Sequence, residues 1–361
     1  MRGVAALEAD VVILGAGPAG LACARRLIDL GVERVVLAPL RGRARPWGET
    51  LAPEVRGWLR AIGRDDALAA AGAAPSAATI AAWGEPVARG RPSILSPEGP
   101  AWHVDRGAFD RRLAEGLELR RLAGARLRDL EREGEGLRVR TDVDEITARF
   151  VVDATGSAAL AAGRLGVGRR VVDRMVALCA RGRPIDPGTA ALAVESAADG
   201  WWYASPIGEA TSVVWVTDPR AHRGGTVAAA ARAAWTQLLL LPRHVRLDEA
   251  ATWSARVVTV GGLERPGGAG WIAIGDAAFA PDPMAGMGVT LALEDGVRSA
   301  EALARALAGD RGAIEGEVER VRGRGREHLE AREEHLEGEA RFADAPFWRA
   351  RRGRAAPPSW G

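Results

Sequence analysis

Gly15-Ala16-Gly17-Pro18-Ala19-Gly20 is the first group of residues whose types and spacing could do chemistry. It matches G-x-G-x-x-G and follows an apolar run at residues 10–14. Gly15 permits a tight turn, Gly17 lets the backbone approach a pyrophosphate, and Gly20 lets a helix pack closely on a strand. The N-terminus of the helix that follows offers unpaired N–H groups and a positive dipole end to phosphate oxygens. The usual ribose partner, an acidic residue about twenty positions on, is missing. The chain reads Leu37-Ala38-Pro39 there, followed by Arg41, Arg43 and Arg45, while Glu33 lies at the wrong end of the second strand. Arginines in that place suit a phosphorylated ribose, hence NADP, or the pyrophosphate of FAD. The first motif leaves both open.

A second constellation decides between them. Gly275-Asp276-Ala277-Ala278 follows an apolar run and leads to Asp282-Pro283-Met284-Ala285-Gly286-Met287-Gly288 at a helix start. Asp276, placed after a strand, can bind a ribityl hydroxyl. A glycine-rich helix start through Pro283, Gly286, Met287 and Gly288 can set N–H groups against the pyrimidine edge of an isoalloxazine, where negative charge develops on reduction. This pattern resembles the FAD-binding signature of aromatic hydroxylases and halogenases, and Val151-Val152-Asp153-Ala154-Thr155-Gly156 resembles their middle motif. Three motifs in this order point to FAD as the resident cofactor.

Further segments carry a narrower resemblance. Trp47-Gly48-Glu49-Thr50-Leu51 is similar to a Gly-Glu-Ser/Thr-Leu segment of the tryptophan-halogenase-like superfamily, which lies near the flavin. Trp102-His103-Val104-Asp105-Arg106, then Phe109-Asp110, is similar to another, whose arginine (here Arg106) the resemblance directs to the FAD phosphates or ribose. Gly200-Trp201-Trp202-Tyr203-Ala204-Ser205-Pro206 and Asp344-Ala345-Pro346-Phe347-Trp348 also have counterparts. Nearly the whole chain resembles the flavoproteins that mature tryptophylquinone enzymes, partners of lysine oxidase, glycine oxidase and quinohemoprotein amine dehydrogenase. Halogenases of the superfamily need a lysine to carry activated halogen and typically show W-x-W-x-I-P. This chain has no lysine and reads W-W-Y-A-S-P at 201–206, so a lysine-dependent halogenase is not expected.

Bland readings stand beside the chemical ones. His103 is either a structural hydrogen-bonding residue or a catalytic, flavin-adjacent one. Glu49 either orients flavin or substrate, or caps the helix that Pro53 opens. Trp202, in a strand whose side chains alternate between faces, is either core or a wall of the substrate pocket. His328 and His335 read as solvated, and no metal-site spacing appears. Cys23 and Cys179 make no disulfide framework.

These residues need a βαβ unit to position them: a strand at 10–14, a helix at 21–30 and a strand at 34–37. Residues 51–72 read as helical, 75–105 as Pro- and Gly-punctuated, and 108–130 as helical again. Strands are expected at 137–140 and 146–152, then at 175–179, 192–195, 201–203, 212–217 and 255–260, with a helix at 228–240 among them. A strand at 271–274 feeds a helix at 289–307. A charged helix spans 313–341, weakened at Gly323 and Gly325, and the tail beyond reads as extended. The expected fold is therefore α/β, a Rossmann-like FAD-binding domain with an inserted mixed β-sheet substrate domain and a C-terminal helix. Residues 1–75, 104–165 and 262–312 make the first domain, 76–103 and 166–261 the second, and 313–361 the C-terminal helix and basic tail.

Composition bounds the rest. The chain has 361 residues, 47% hydrophobic and 27% charged, with a net charge of +2. Those values exclude low complexity and global disorder, and no basic stripe points to nucleic acid. All 49 basic residues are arginine. No apolar stretch is long enough to span a bilayer and no signal pattern opens the chain, so a cytoplasmic location is expected. Charge reverses near residue 341, from −4 over 313–340 to +4 over 341–361. The tail then either packs over the flavin domain or serves as a docking arm anchored by Phe347, Trp348 and Trp360. The resemblance implies monooxygenation through a flavin hydroperoxide, with O2 as co-substrate and NAD(P)H or a separate flavin reductase as donor, on a tryptophan in a partner protein or peptide. Hydroxylation of a small or carrier-tethered aromatic, and a non-oxygenating reductase or maturation chaperone, are the alternatives.

Overall fold

The computed structural model describes residues 7–40, 48–122, 124–186, 188, 190–221, 226–248 and 250–353. Among them the strands form three sheets. The first is the expected parallel one. Its core order runs Trp271–Ala273, Glu145–Asp153, Leu7–Leu14, Val35–Ala38, Arg120–Arg121. Val11, Val12, Ile13 and Leu14 are completely buried, as strands covered on both faces must be. Leu14 stands in register with both Ala38 and Asp153, so the carboxyl ends of three strands meet where the first glycine turn begins. Open α/β sheets bind ligands outside such ends.

The helices Pro18–Asp29 and Gly288–Leu307 pack side by side over this sheet. Their approach depends on Gly296, where a Cβ would meet the Ala19 carbonyl and the Ala22 methyl. The second sheet is largely antiparallel and built around the long strand Arg169–Pro184, with Ala210–Thr217, Gly200–Ile207 and Ala191–Ala197 on one side and Ser254–Leu263 on the other. A small third sheet, Gly48–Leu51, Trp102–Asp105 and Ala74–Pro75, lies against Gly200–Ile207.

Several expectations need correction. The helix expected over 108–130 is Arg106–Ala114 only, because Gly116 takes φ +66° and the chain continues as the strands Arg120–Arg121 and Leu127–Glu133. The helix read at 228–240 stops at Trp235. Beyond it, the buried Glu195 carboxylate accepts the N–H groups of Leu239, Leu240 and Leu241 at 2.6–2.9 Å. Ala313–Glu337 runs unbroken through Gly323 and Gly325. Gly325 suits a close approach, since a Cβ there would stand 3.1 Å from the Phe279 ring. Nor is His328 solvated: its ring lies edge-on to Phe279 at 6.1 Å, and burial and Arg324 lower its pKa.

The tail is not extended either. Pro346–Arg349 forms a helical turn, Phe347 and Trp348 are buried, and Trp348 donates its Nε1–H to the Ala197 carbonyl at 2.7 Å. Trp83 meets Trp348 edge-on at 5.3 Å. Arg351 is buried against Asp173 and Asp218. The docking-arm reading fails for Phe347 and Trp348, whose rings are spent on the protein's own core. Trp360 lies outside the described residues.

Candidate functional site

Three motifs distant in sequence converge at the strand ends. Gly15 adopts φ +110° and its N–H donates to the Ala38 carbonyl at 2.9 Å. A Cβ on Gly15 would strike the Ala154 carbonyl, and one on Gly20 the Gly15 carbonyl, which locks the first motif onto the middle one. Asp153 is fully buried. Its carboxylate accepts from Thr155 N and Oγ1 and from Ala162 N, so it shapes the middle turn; burial raises its pKa. A Cβ on Gly275 would lie 3.0 Å from the Ala19 methyl, bringing the third motif to the same place.

Gly17 differs from its neighbours. A Cβ there would meet no described atom within 4 Å, and the same holds at Gly286 and Gly288. Gly17 and Met287 begin the helices Pro18–Asp29 and Gly288–Leu307 without a side-chain cap, and neither helix has an acidic residue in its first turn. Two uncapped N-termini beside open glycine backbone make a cradle for anionic groups. These residues fit a dinucleotide: Gly15, Gly17, Pro18, Ala19 and Gly20 form the turn into one helix N-terminus, and Gly286, Met287 and Gly288 the approach to the other. Asp276 is part-exposed beside them, and Pro283 opens the turn before Gly286. Arg41, a further cofactor candidate, lies outside the described residues.

Side chains brace the third motif. Asp295, completely buried, accepts the Gly275 N–H at 2.9 Å and pairs with Arg320 at 2.6 Å and with Arg324. Burial alone would raise its pKa, but the two guanidiniums outweigh that and hold it low. Arg169 donates to the carbonyls of Asp276 and Ala277 at 2.6 and 2.7 Å and to that of Gly261 at 2.9 Å. Neither brace was expected from sequence, for Asp295 lies 20 residues and Arg169 more than a hundred from the backbone it holds.

Arg106 and Glu49 do come together. Arg106 is 1% exposed, pairs with Glu49 at 2.6 Å and Asp110 at 3.2 Å, and its Nε finds no partner among the described residues. Burial opposes its charge, but the two carboxylates outweigh it and raise its pKa. Glu49 sits on the strand opposite Val104 and caps no helix; the helix Val55–Ala61 begins after Glu54. The capping reading of Glu49 is therefore wrong. The field of Glu49 reaches Tyr203 and Cys179 on the large sheet. Burial, helped by Glu49, keeps the Tyr203 hydroxyl protonated and pushes the Cys179 thiol up to about 12.

His103 is buried in a hydrogen-bonded cluster. Its Nδ1 lies 2.9 Å from Thr50 Oγ1 and 3.2 Å from Ser205 Oγ, and its Nε2 3.4 Å from the Ala190 carbonyl. Burial lowers its pKa to about 4, so the ring is neutral near pH 7 and joins the small sheet to the large one. Ser205 and Thr50 were named only as parts of longer segments; their role depends on a contact across 155 residues. Trp202 lies on the opposite face, stacked on Trp215 at 5.1 Å and flanked by Trp235 and Trp253. It is fully buried core rather than a pocket wall. Its neighbour Trp201 stacks with Tyr203 at 5.9 Å on the face toward Met175, Cys179 and Phe279.

An FAD-dependent oxidoreductase is the class that this fold and site define. Residues 8–314 match the family of FAD binding domains, and the chain belongs to that family. It is 25% identical over 333 residues to LodB of Marinomonas mediterranea, described as an FAD-dependent oxidoreductase, covering 81% of this chain and 84% of that one. Among solved structures it is similar to the peptidyl tryptophan dihydroxylase QhpG, essential for tryptophylquinone cofactor biogenesis, at 26% identity and TM-score 0.76, covering 98% of this chain and 80% of QhpG. The myxobacterial chondrochloren halogenase CndH is similar too, at 25% identity and TM-score 0.77, covering 96% and 86%. Among the described residues no helix is long and apolar enough to cross a membrane.

Proposed function

We propose that this protein is an FAD-dependent monooxygenase that adds oxygen to a tryptophan ring within a partner protein or peptide. One observation carries the reading: nearly the whole chain is similar to a peptidyl tryptophan dihydroxylase. The absence of lysine, needed by the halogenases it also resembles, favours oxygen over halogen as the transferred group.

Bound FAD would supply electrons and oxygen activation, with NAD(P)H or a separate flavin reductase as donor and O2 as co-substrate. The protein's own residues bind and orient it. Gly17 and the two helix N-termini take the pyrophosphate and the pyrimidine edge, and Asp276 the ribityl chain. Arg106 fixes Glu49 at the junction of the small and large sheets, where Glu49 orients flavin or substrate. Neutral His103 with Thr50 and Ser205 holds that junction closed. Tyr203, protonated and stacked on Trp201, lies on the apolar sheet face with Met175 and Cys179.

The test supplies FAD-loaded protein with NADH, a flavin reductase, O2 and bromide, and offers either free tryptophan or the polypeptide encoded by a neighbouring gene. A gain of about 16 or 32 Da on a tryptophan of the polypeptide, with free tryptophan unchanged, is expected. Oxygenation of free tryptophan alone, a brominated product, or no mass change would each overturn the reading.

A further inference from the structure

The charged helix Ala313–Glu337 reaches the flavin site a second time, through a buried chain of ion pairs. Arg332 donates its Nε–H to Asp282 Oδ2 at 2.7 Å, and a terminal nitrogen to Asp173. The other oxygen of Asp282, Oδ1, accepts the Met284 N–H at 3.0 Å and so caps the turn Pro283–Ala285. That turn ends on Gly286 at φ +64° and delivers the chain to the N-terminus of Gly288–Leu307. Behind Arg332, Arg351 donates to Asp173 at 2.8 Å and to Asp218 at 3.1 Å. Arg332, Arg351, Asp173 and Asp282 are each at most 9% exposed.

Two buried arginines thus balance two buried aspartates, and one end of the chain is a backbone N–H of the flavin segment. Charge-assisted hydrogen bonds are short and directional, and a buried carboxylate that loses its partner rearranges or takes up a proton. An ion pair serving stability alone would join two elements anywhere along their length. This one ends on the cap that aims residues 284–288.

We infer that Arg332 is a positioning residue for the flavin, acting through Asp282 to set the direction of the N–H groups at the start of Gly288–Leu307. Without it the fold persists, but the turn loses its orientation. FAD then binds more weakly and in an altered environment.

Titration of apoprotein with FAD, the visible spectrum and reduction potential of the bound flavin, and the melting temperature of the apoprotein separate positioning from stability. Arg332→Gln is expected to weaken FAD binding about tenfold or more (roughly 1.4 kcal/mol) and to shift the flavin band and potential. Arg332→Lys, which keeps the charge toward Asp282, recovers most of both. Asp218→Asn, at the far end of the chain, lowers the melting temperature while affinity and spectrum stay at wild-type values. Wild-type FAD affinity and spectrum in Arg332→Gln, whatever its melting temperature, would overturn the inference. Should that variant not fold, Asp282→Asn decides, for it keeps an acceptor for the Met284 N–H but loses the ion pair. It must show the same loss, and unchanged FAD affinity in it overturns the inference equally.

Discussion

The turn at residues 15–20 and the segment at residues 275–288 face the same cradle, yet they are built by different means. The first is finished by backbone alone, without side chains: Gly15 at φ +110°, a 2.9 Å bond to the Ala38 carbonyl, and glycines where a Cβ would strike the Ala154 or Gly15 carbonyl. The second is held from outside, by Asp295 with Arg320 and Arg324 under Gly275, by Arg169 on the Asp276 and Ala277 carbonyls, and by Arg332 on the Asp282 carboxylate that caps Met284. A turn packed backbone against backbone needs no side chain to hold it. An externally braced one depends on elements that join the fold from far along the chain.

The comparison breaks most readily at Asp295. Asp295→Ala takes the buried carboxylate from Arg324, leaves Arg320 to Glu317 and Glu294, and leaves the Gly275 N–H without an acceptor. Breaking a buried pair from one side costs about 3–5 kcal/mol, and urea unfolding of the apoprotein should show a loss of that size, together with weakened FAD binding. A loss under about 1 kcal/mol, the range of exposed ion pairs, would mean that the second segment supports itself as the first does.

His103 sharpens the comparison where the sheets meet. Its folded pKa, near 4, lies below the ordinary 6.5. The unfolded chain therefore takes up the proton first. This contribution is fully present above about pH 6.5 and is lost as pH falls toward 4, by up to about 3 kcal/mol. Apoprotein stability measured at several pH values should fall more steeply for wild type than for His103→Gln across that window. Parallel slopes would show that the ring takes up its proton as readily in the folded protein as in the unfolded chain.

The smallest effect is expected at Trp202, which belongs to neither segment. Trp202→Phe leaves a small void among Trp215, Trp235 and Trp253 and should cost about 1–2 kcal/mol, with FAD affinity unchanged. A weaker affinity for FAD would place Trp202 nearer the site than its packing indicates.

What was legible in the sequence follows the same division. The strand, glycine turn and helix of residues 7–29 were readable because each determinant sits within a few positions of the next, and the three ordered motifs disclosed the flavin. Glu49 and Arg106 were named, but not their pairing, which needs two strands of the small sheet to lie side by side. The arginines of Ala313–Glu337 have the sequence pattern of any charged helix. Their charge pattern is the same whether the partners are water or buried aspartates, and only the fold brings Asp295 and Asp282 beneath them. Residues 108–130 misled for a local reason, since their alternation between apolar and charged residues hid a helix stop at Gly116. The tail misled because Phe347 and Trp348 have the same composition as interface anchors while filling the protein's own core.

The most direct test of the flavin site compares Gly17→Leu with Gly20→Leu. The space at Gly17 is open, whereas a Cβ at Gly20 meets the Gly15 carbonyl. Purified wild-type protein should carry FAD, identified after denaturation, or take it up from solution. Gly17→Leu should keep the apoprotein melting temperature and bind no FAD, because its side chain fills the pyrophosphate position, while Gly20→Leu should lose stability as well. A folded Gly17→Leu variant that is yellow and replete with FAD would contradict the assignment of this turn to the cofactor.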